Sequence, residues 1–386
     1  MTLIIFIVIL GVLVLVHELG HFIFAKKAGV RVEEFGFGYP PRAVTLGEKW
    51  GTKFSLNWIP FGGFVKIFGE NYDAEIQSEK GPAPKVLGSP ASRLNQTFVT
   101  ELSPTGRSFT QVSKIWQAVI LFAGVLFNFL FAWLLFSIGF VSGLPTPVQN
   151  DYGYEVKDPA LTIVAVLPNS PASNAGLKSG DKILSVESGG AVLRDLEPEA
   201  VSDFISGSSQ QINMQVNRGG KEHDFSLLPD AALMEGRKIV GINMDMVGTL
   251  SLPVHQAFVE GGRVTLKLTY LTVTGILGLI GGAFTGSADL SQVTGPIGIV
   301  GLVGDASRLG LAYLLTFTAL ISINLAVVNL LPFPALDGGR LVFVAIEAIT
   351  RKKIPAKFGS YANGIGFAVL VGLMIIITFK DIKNLF

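Results

Sequence analysis

The chain has 386 residues, of which 49% are hydrophobic and only 15% charged, with a mean hydropathy of +0.52. A typical globular chain carries about 25% charged residues, so long stretches of this one never meet water, which excludes an ordinary soluble enzyme. Thirty basic against 29 acidic residues leave a net charge of +1, without the basic field that attracts nucleic acid, and with no cysteine any metal site must use His, Asp or Glu.

A bilayer span needs roughly 20 mostly apolar residues. Residues 3–16 are continuously apolar, the pentad HELGH interrupts at 17–21, and apolar sequence resumes to 25. No basic residue precedes Lys26 and no small-x-small cleavage site follows, so 1–25 is expected to be a retained first transmembrane helix, not a signal peptide. Residues 26–115 follow as a cytoplasmic segment. Within it, 53–68 alternates like a strand and is interrupted by Pro60 and Gly62-Gly63, which predicts a hairpin with a tight turn. Residues 71–110, rich in Ser, Pro, Gly and charge, are expected to be a mobile loop gating access.

The uncharged run 116–140 predicts a second transmembrane helix over 116–141, with Asn128 polar in an apolar setting. Strand-like stretches at 161–167, 182–188 and 212–217, with a helix over 198–206, predict one compact mixed domain spanning 155–230. Residues 231–309 are expected to be a linker whose uncharged, Thr- and Gly-rich part, 268–286, lies on the membrane surface as an amphipathic segment. The uncharged runs 310–331 and 361–379 predict a third transmembrane helix within 310–350 and a fourth over 361–380. Lys and Arg outnumber Asp and Glu by 12 to 8 between residues 26 and 114, but trail by 9 to 15 between 142 and 263. The first loop therefore belongs inside and the middle domain outside, and four spans with both termini outside satisfy every loop.

His17-Glu18-Leu19-Gly20-His21 has the HExxH spacing. Residues i and i+4 share a helix face, so two imidazoles one turn apart can grip one Zn²⁺, while Glu18 can act on water as general base. A catalytic zinc takes a third protein ligand. His223 and His255 lie in the outer half of the chain, so Asp337 is the better candidate. It follows the third uncharged run, where Pro332 and Pro334 break the helix and free its backbone. Topology agrees, since four spans bring Asp337 to the same side as the histidines. Asn329, eight residues before Asp337, can bond the substrate backbone or an oxyanion, or else a neighbouring helix. Asn128 reads first as a contact between helices and second as lining of the site.

These motifs resemble the site-2 protease family of intramembrane zinc metalloproteases, in its bacterial regulator-of-sigma-E protease branch. HELGH at 17–21, PFGGFVKIFGE at 60–70, GPIG at 295–298 and Asn329 to Gly338 stand in that family's order, and the resemblance covers nearly the whole chain. It implies that His17, His21 and Asp337 hold zinc, that Glu18 is the catalytic acid/base, and that Asn329 contacts substrate backbone. The hairpin with Gly62 and Gly63 becomes a membrane-associated β-loop beside the metal, able to bind an unwound substrate by strand addition. Residues 168–184 resemble a PDZ pattern, so the middle domain becomes an extracytoplasmic PDZ-like α+β domain with a groove for a peptide C-terminus. One departure is that the family usually has Ala-Gly-Pro before its Asn, where here Ala123-Gly124 is followed by Val125.

The expectation is thus a four-span α-helical membrane protein of the bacterial inner membrane, cutting single-span proteins within the bilayer. Anti-sigma factors and remnant signal peptides are the substrates that the resemblance implies. The competing readings are a non-catalytic adaptor with structural zinc and a His/Asp transporter. Glu18, which a structural zinc would not need, weighs against the first. The lack of inverted repeats weighs against the second.

Overall fold

The structure is a computed structural model that describes residues 1–70, 106–150, 153–167, 169–230, 238–287 and 293–383. Most of the expected gating loop, 71–105, lies outside the described residues.

Helix α1 (Thr2–Lys27) ends on Lys26 and Lys27, whose charges suit a helix C-terminus. The chain then enters β1 (Val32–Lys49) and β2 (Thr52–Ile67), which turn at Trp50 and Gly51, both at positive φ. The expected hairpin over 53–68 is therefore corrected: it starts at residue 32, and Gly62-Gly63 is not its turn. Residues 34–37 lie between two stretches of β2, Phe35 partnering both Phe54 and Val65, and Phe37 both Leu56 and Gly63. Gly62, at φ +79°, makes the bend that lets β2 pass round β1, a conformation that favours glycine. Val32, Phe35 and Ile67 pack with Phe22 and Ala25 of α1, and with Ile120 and Leu121 of the next helix.

That helix, α2 (Lys114–Ser142), crosses α1 at Gly20, where an added Cβ would lie 2.7 Å from the Ala123 carbonyl carbon. Beyond α2 comes an α+β domain. Its elements are β3 (Leu144–Pro147), β4 (Lys157–Val166), α3 (Pro171–Ala175), β5 (Lys182–Ser188), β6 (Ala191–Leu193), α4 (Pro198–Gly207), β7 (Ile212–Arg218), β8 (Lys221–Leu227) and β9 (Ile242–Leu250). The strands form one sheet in the order β3-β9-β4-β5-β7-β8, with β6 on β5. Leu161, Ile163, Val186, Val201, Ile212 and Met214 fill its core. The expected limits of 155–230 omit β3 and β9, which pair with each other and, through β9, with β4. Buried Asp181 accepts two 2.6 Å bonds from the Arg218 guanidinium, which push the Arg218 pKa up, and a third from the Lys178 N–H.

Helix α5 (Val254–Thr285) starts beside the end of α2, with Trp133 Nε1 donating to the Phe258 carbonyl at 2.7 Å. Helices α6 (Pro296–Leu309), α7 (Leu311–Leu330), α8 (Asp337–Thr350) and α9 (Ala356–Lys383) follow. Leu268, Val273 and Ile276 pack against a cluster that includes Ala132, Phe136, Ala319 and Ile323 of α2 and α7. The first part of the expected surface segment 268–286 is thus held against the bundle, because its Leu, Val and Ile form one apolar stripe. Among the described residues, α1, α2, α5, α7 and α9 are long and apolar enough to cross a membrane. The chain is accordingly a multi-pass membrane protein with several apolar helices and β-sheet regions.

Helix α7 stops before Pro332, and the chain folds back through Ala335, at φ +76°, into the first turn of α8. Gly338 and Gly339 leave no room for a side chain against the backbone of residues 330–334. Helix α9 braces this turn, its Asn363 Oδ1 accepting the Ala335 N–H at 3.1 Å. At its other end Asp381 accepts the Gly295 and Gly298 N–H groups at the start of α6.

Candidate metal centre

The 3.6-residue period of α1 turns His17 and His21 toward α2, where both imidazoles are buried. Their Nε2 atoms lie 3.1 Å apart. Asp337 Oδ2 lies 2.9 Å from the first and 3.4 Å from the second, delivered by the break between α7 and α8. Among the described residues this is the one cluster of three such side chains that could hold a metal ion.

The rear nitrogens are also engaged. His21 Nδ1 is 2.8 Å from the Ile120 carbonyl, so that nitrogen donates and leaves Nε2 with a free lone pair. His17 Nδ1 is 3.2 Å from Asn128 Nδ2, and the fully buried Asn128 Oδ1 has no partner. The two ends of an amide have the same shape. Turned over, Asn128 would offer Oδ1 to an Nδ1–H, the pairing that an imidazole ligating through Nε2 requires. Asn128 also joins helices, because its carbonyl accepts the Ser322 hydroxyl of α7 at 2.8 Å. Gly124 faces both rings, and a Cβ there would sit 2.7 Å from His17 Cε1 and closer still to His21 Nε2.

This donor set fits zinc. Tetrahedral bonds of 2.0–2.1 Å set neighbouring ligand atoms about 3.3 Å apart. The three separations of 2.9, 3.1 and 3.4 Å bracket that edge. The set is two neutral nitrogens and one carboxylate, and the orphaned Asn128 oxygen is what a zinc-ligating His17 would use.

Glu18, adjacent in sequence to His17, reaches the sheet, where its Oε2 accepts the Val65 N–H at 2.9 Å. Gly63 lies alongside, where an added Cβ would come 3.8 Å from Glu18 Cγ and a tight 3.1 Å from the Gly36 carbonyl oxygen. Residues 63–67 pair with β1 on one side, so the Val65 N–H belongs to their open edge. Gly62 takes part only through the bend. Asn329, near the end of α7, is half-buried and makes no side-chain hydrogen bond among the described residues. His223 and His255 are exposed, in β8 and at the start of α5, and neither belongs to the cluster. Sequence reasoning missed Ile120, Gly124 and Val65. Two of these act through backbone and the third by having no side chain, so the only available signal was a glycine four residues before Asn128.

Comparison with known proteins agrees with this chemistry. Peptidase family M50 matches residues 5–373. A zinc metalloprotease RasP of Geobacillus kaustophilus is 30% identical, covering 99% of this chain and 97% of its own. One of the same name from Oceanobacillus iheyensis is 31% identical over 100% and 99%. A regulator of sigma-W protease RasP of Bacillus subtilis is 29% identical, again over 100% and 99%.

Proposed function

This chain belongs to peptidase family M50 and is a membrane-embedded zinc metalloendopeptidase of the site-2 protease type, and on that premise we propose that it cuts single-span membrane proteins within or near their transmembrane segment, at a centre formed by His17, His21, Asp337 and Glu18.

His17, His21 and Asp337 would hold the zinc, supported by the convergence of their donor atoms within 4.8 Å. Zinc, when bound, supplies a Lewis acid that polarises the scissile carbonyl and acidifies water. Glu18 takes the proton from the attacking water and returns it to the leaving amine. Asn128 and the Ile120 carbonyl keep the two imidazoles in the ligating tautomer. The closely packed α1, α2 and α7 keep bulk water from this region. A transmembrane substrate arrives helical, with its amides bonded internally. The edge at 63–67, bent at Gly62 and free of side-chain bulk at Gly63, would hold the unwound segment by strand addition. Asn329, uncommitted in the structure, would bond the substrate backbone.

Four crossings, by α1, α2, α7 and α9, put His21 and Asp337 on the cytoplasmic side, while α5 enters beside α2 and α7 without completing a passage. The support is the 2.9 Å contact of His17 with Asp337, since one further crossing would separate them. The α+β domain then lies outside as a PDZ-like module. It would take a peptide C-terminus along β9, supported by β3 and Val148 covering that strand only from Met246 on. Its substrates would be membrane-tethered anti-sigma factors, with remnant signal peptides as a second class, as the family resemblance implies; a relative named as a regulator of sigma-W protease supports the first.

The observation that carries this reading is the bond from Glu18 to Val65, which joins the proton acceptor of the HExxH motif to an open strand edge. The test compares wild type with Glu18→Gln, measuring bound zinc and cleavage of a tagged single-span protein. Equal zinc, with cleavage by wild type alone, is expected. Cleavage by the variant at the wild-type rate would overturn the role of Glu18. Zinc retention with no cleavage by wild type of any of a broad substrate panel would move the adaptor reading ahead.

A further inference from the structure

We propose that Glu70 and Arg340 are a positioning pair that fixes the register of the strand edge 63–67 against the metal centre, and so selects which substrate bond is cut; this rests on the strand-addition reading above. Glu70 stands three residues past β2 and donates its N–H back to the Ile67 carbonyl at 3.3 Å, so its position follows that of the strand. Gly69, at φ +74°, turns the chain there, with the Ser108 side chain against it. The Glu70 carboxylate, largely buried, pairs with the Arg340 guanidinium. Arg340 lies in the first turn of α8, three residues after Asp337, and its N–H bonds the Leu336 carbonyl at 3.2 Å.

The edge is therefore held at two points by two different elements. In its middle, the Val65 N–H is held by Glu18 on α1. At its end, Glu70 is held by α8, which also carries Asp337. One contact alone is a pivot, while two fix position along the strand. An edge presents its outward N–H groups on alternate residues, and a strand advances about 3.3 Å per residue, so the smallest slip that keeps the edge usable is two residues. A substrate laid along a slipped edge would offer the bond two residues away. Lys114 and its partner Glu347, in the second half of α8, line one recess with Glu70, so a second ion pair ties α8 to the start of α2 beside the end of β2.

The test uses the full-length, zinc-loaded protein with a tagged single-span substrate, product ends being read by mass spectrometry. Glu70→Arg and Arg340→Glu are each expected to keep their zinc, cut more slowly and spread cleavage to bonds two residues from the wild-type site. The double reversal restores an opposite-charge pair and is expected to return cleavage to the single bond. Single reversals that cut the wild-type bond at the wild-type rate would overturn the proposal, as would a zinc-loaded double reversal that still cuts at scattered bonds. If a reversal fails to fold, the neutral Glu70→Gln decides, with scattered cutting supporting the pair and unchanged cutting refuting it. Val65→Pro, which removes the edge N–H, tests the underlying reading separately. Wild-type cleavage by that variant would remove strand addition itself, whatever the charge variants do.

Discussion

Replacing Asn128 by Leu should lower zinc affinity by more than it weakens the metal-free fold. Asn128 is fully buried behind His17, and no other side chain among the described residues bonds His17 Nδ1. When His17 ligates through Nε2, its Nδ1–H needs an acceptor, and Leu provides none. A buried donor left unpaired costs about 1–3 kcal/mol, which is roughly 5- to 150-fold in affinity. That range contains the loss of about 10–100-fold typical when a partner behind a metal ligand is removed. The metal-free protein should lose less, because there His17 can carry its proton on Nε2, 2.9 Å from the Asp337 carboxylate, and leave Nδ1 bare. Zinc affinity would be measured by competition with a chelator, and stability by thermal unfolding of the stripped protein. Asn128→Asp, which keeps an acceptor, should bind at least as tightly as wild type. A Leu variant that holds zinc as tightly as wild type would refute the assigned tautomer and with it the role of Asn128.

Gly124→Ala should lose most of its zinc, since its Cβ would overlap both imidazoles and overpacking costs about 1–3 kcal/mol; metal content per protein is the check. Stripping zinc with a chelator should abolish cleavage yet leave helical circular dichroism unchanged, because α1, α2 and α7 pack through apolar clusters away from the metal. Arg218→Met should destabilise the α+β domain by about 3 kcal/mol, by leaving the buried Asp181 carboxylate without its counter-ion, while zinc content stays at the wild-type level.

What could be read from the sequence follows from how each contact is made. The i, i+4 spacing of His17 and His21 is written in adjacent letters, and the two prolines after Leu331 announce a helix break beside Asp337. Residues 32–49 hide their strand because Glu33, Glu34, Pro40, Pro41 and Arg42 interrupt any alternation, yet pairing on both sides of 34–37 holds them extended. Gly62 carries the same letter in a bend as in a turn. β9 joins a sheet whose neighbouring β4 lies more than 75 residues away in sequence, which no local pattern reveals. The stretch 268–286 has the composition of an interface, and only the helices it meets draw its first part inward. Carbonyl and N–H partners such as Ile120 and Val65 have no signature, because every residue carries the same backbone.

His17 and Asp337 touch across 320 residues of sequence. At a ribosomal rate of about 5–20 residues per second, roughly 15–65 s separate the synthesis of the histidines from that of their carboxylate. Throughout that interval the growing chain holds only two of the three side chains proposed to hold the metal. The site closes only after α7 has entered the bilayer and the turn at residues 331–337 has formed. With the proposed metal set, proteolytic competence is tied to completed insertion, and a chain stalled or truncated before residue 337 should be inert whatever its zinc supply.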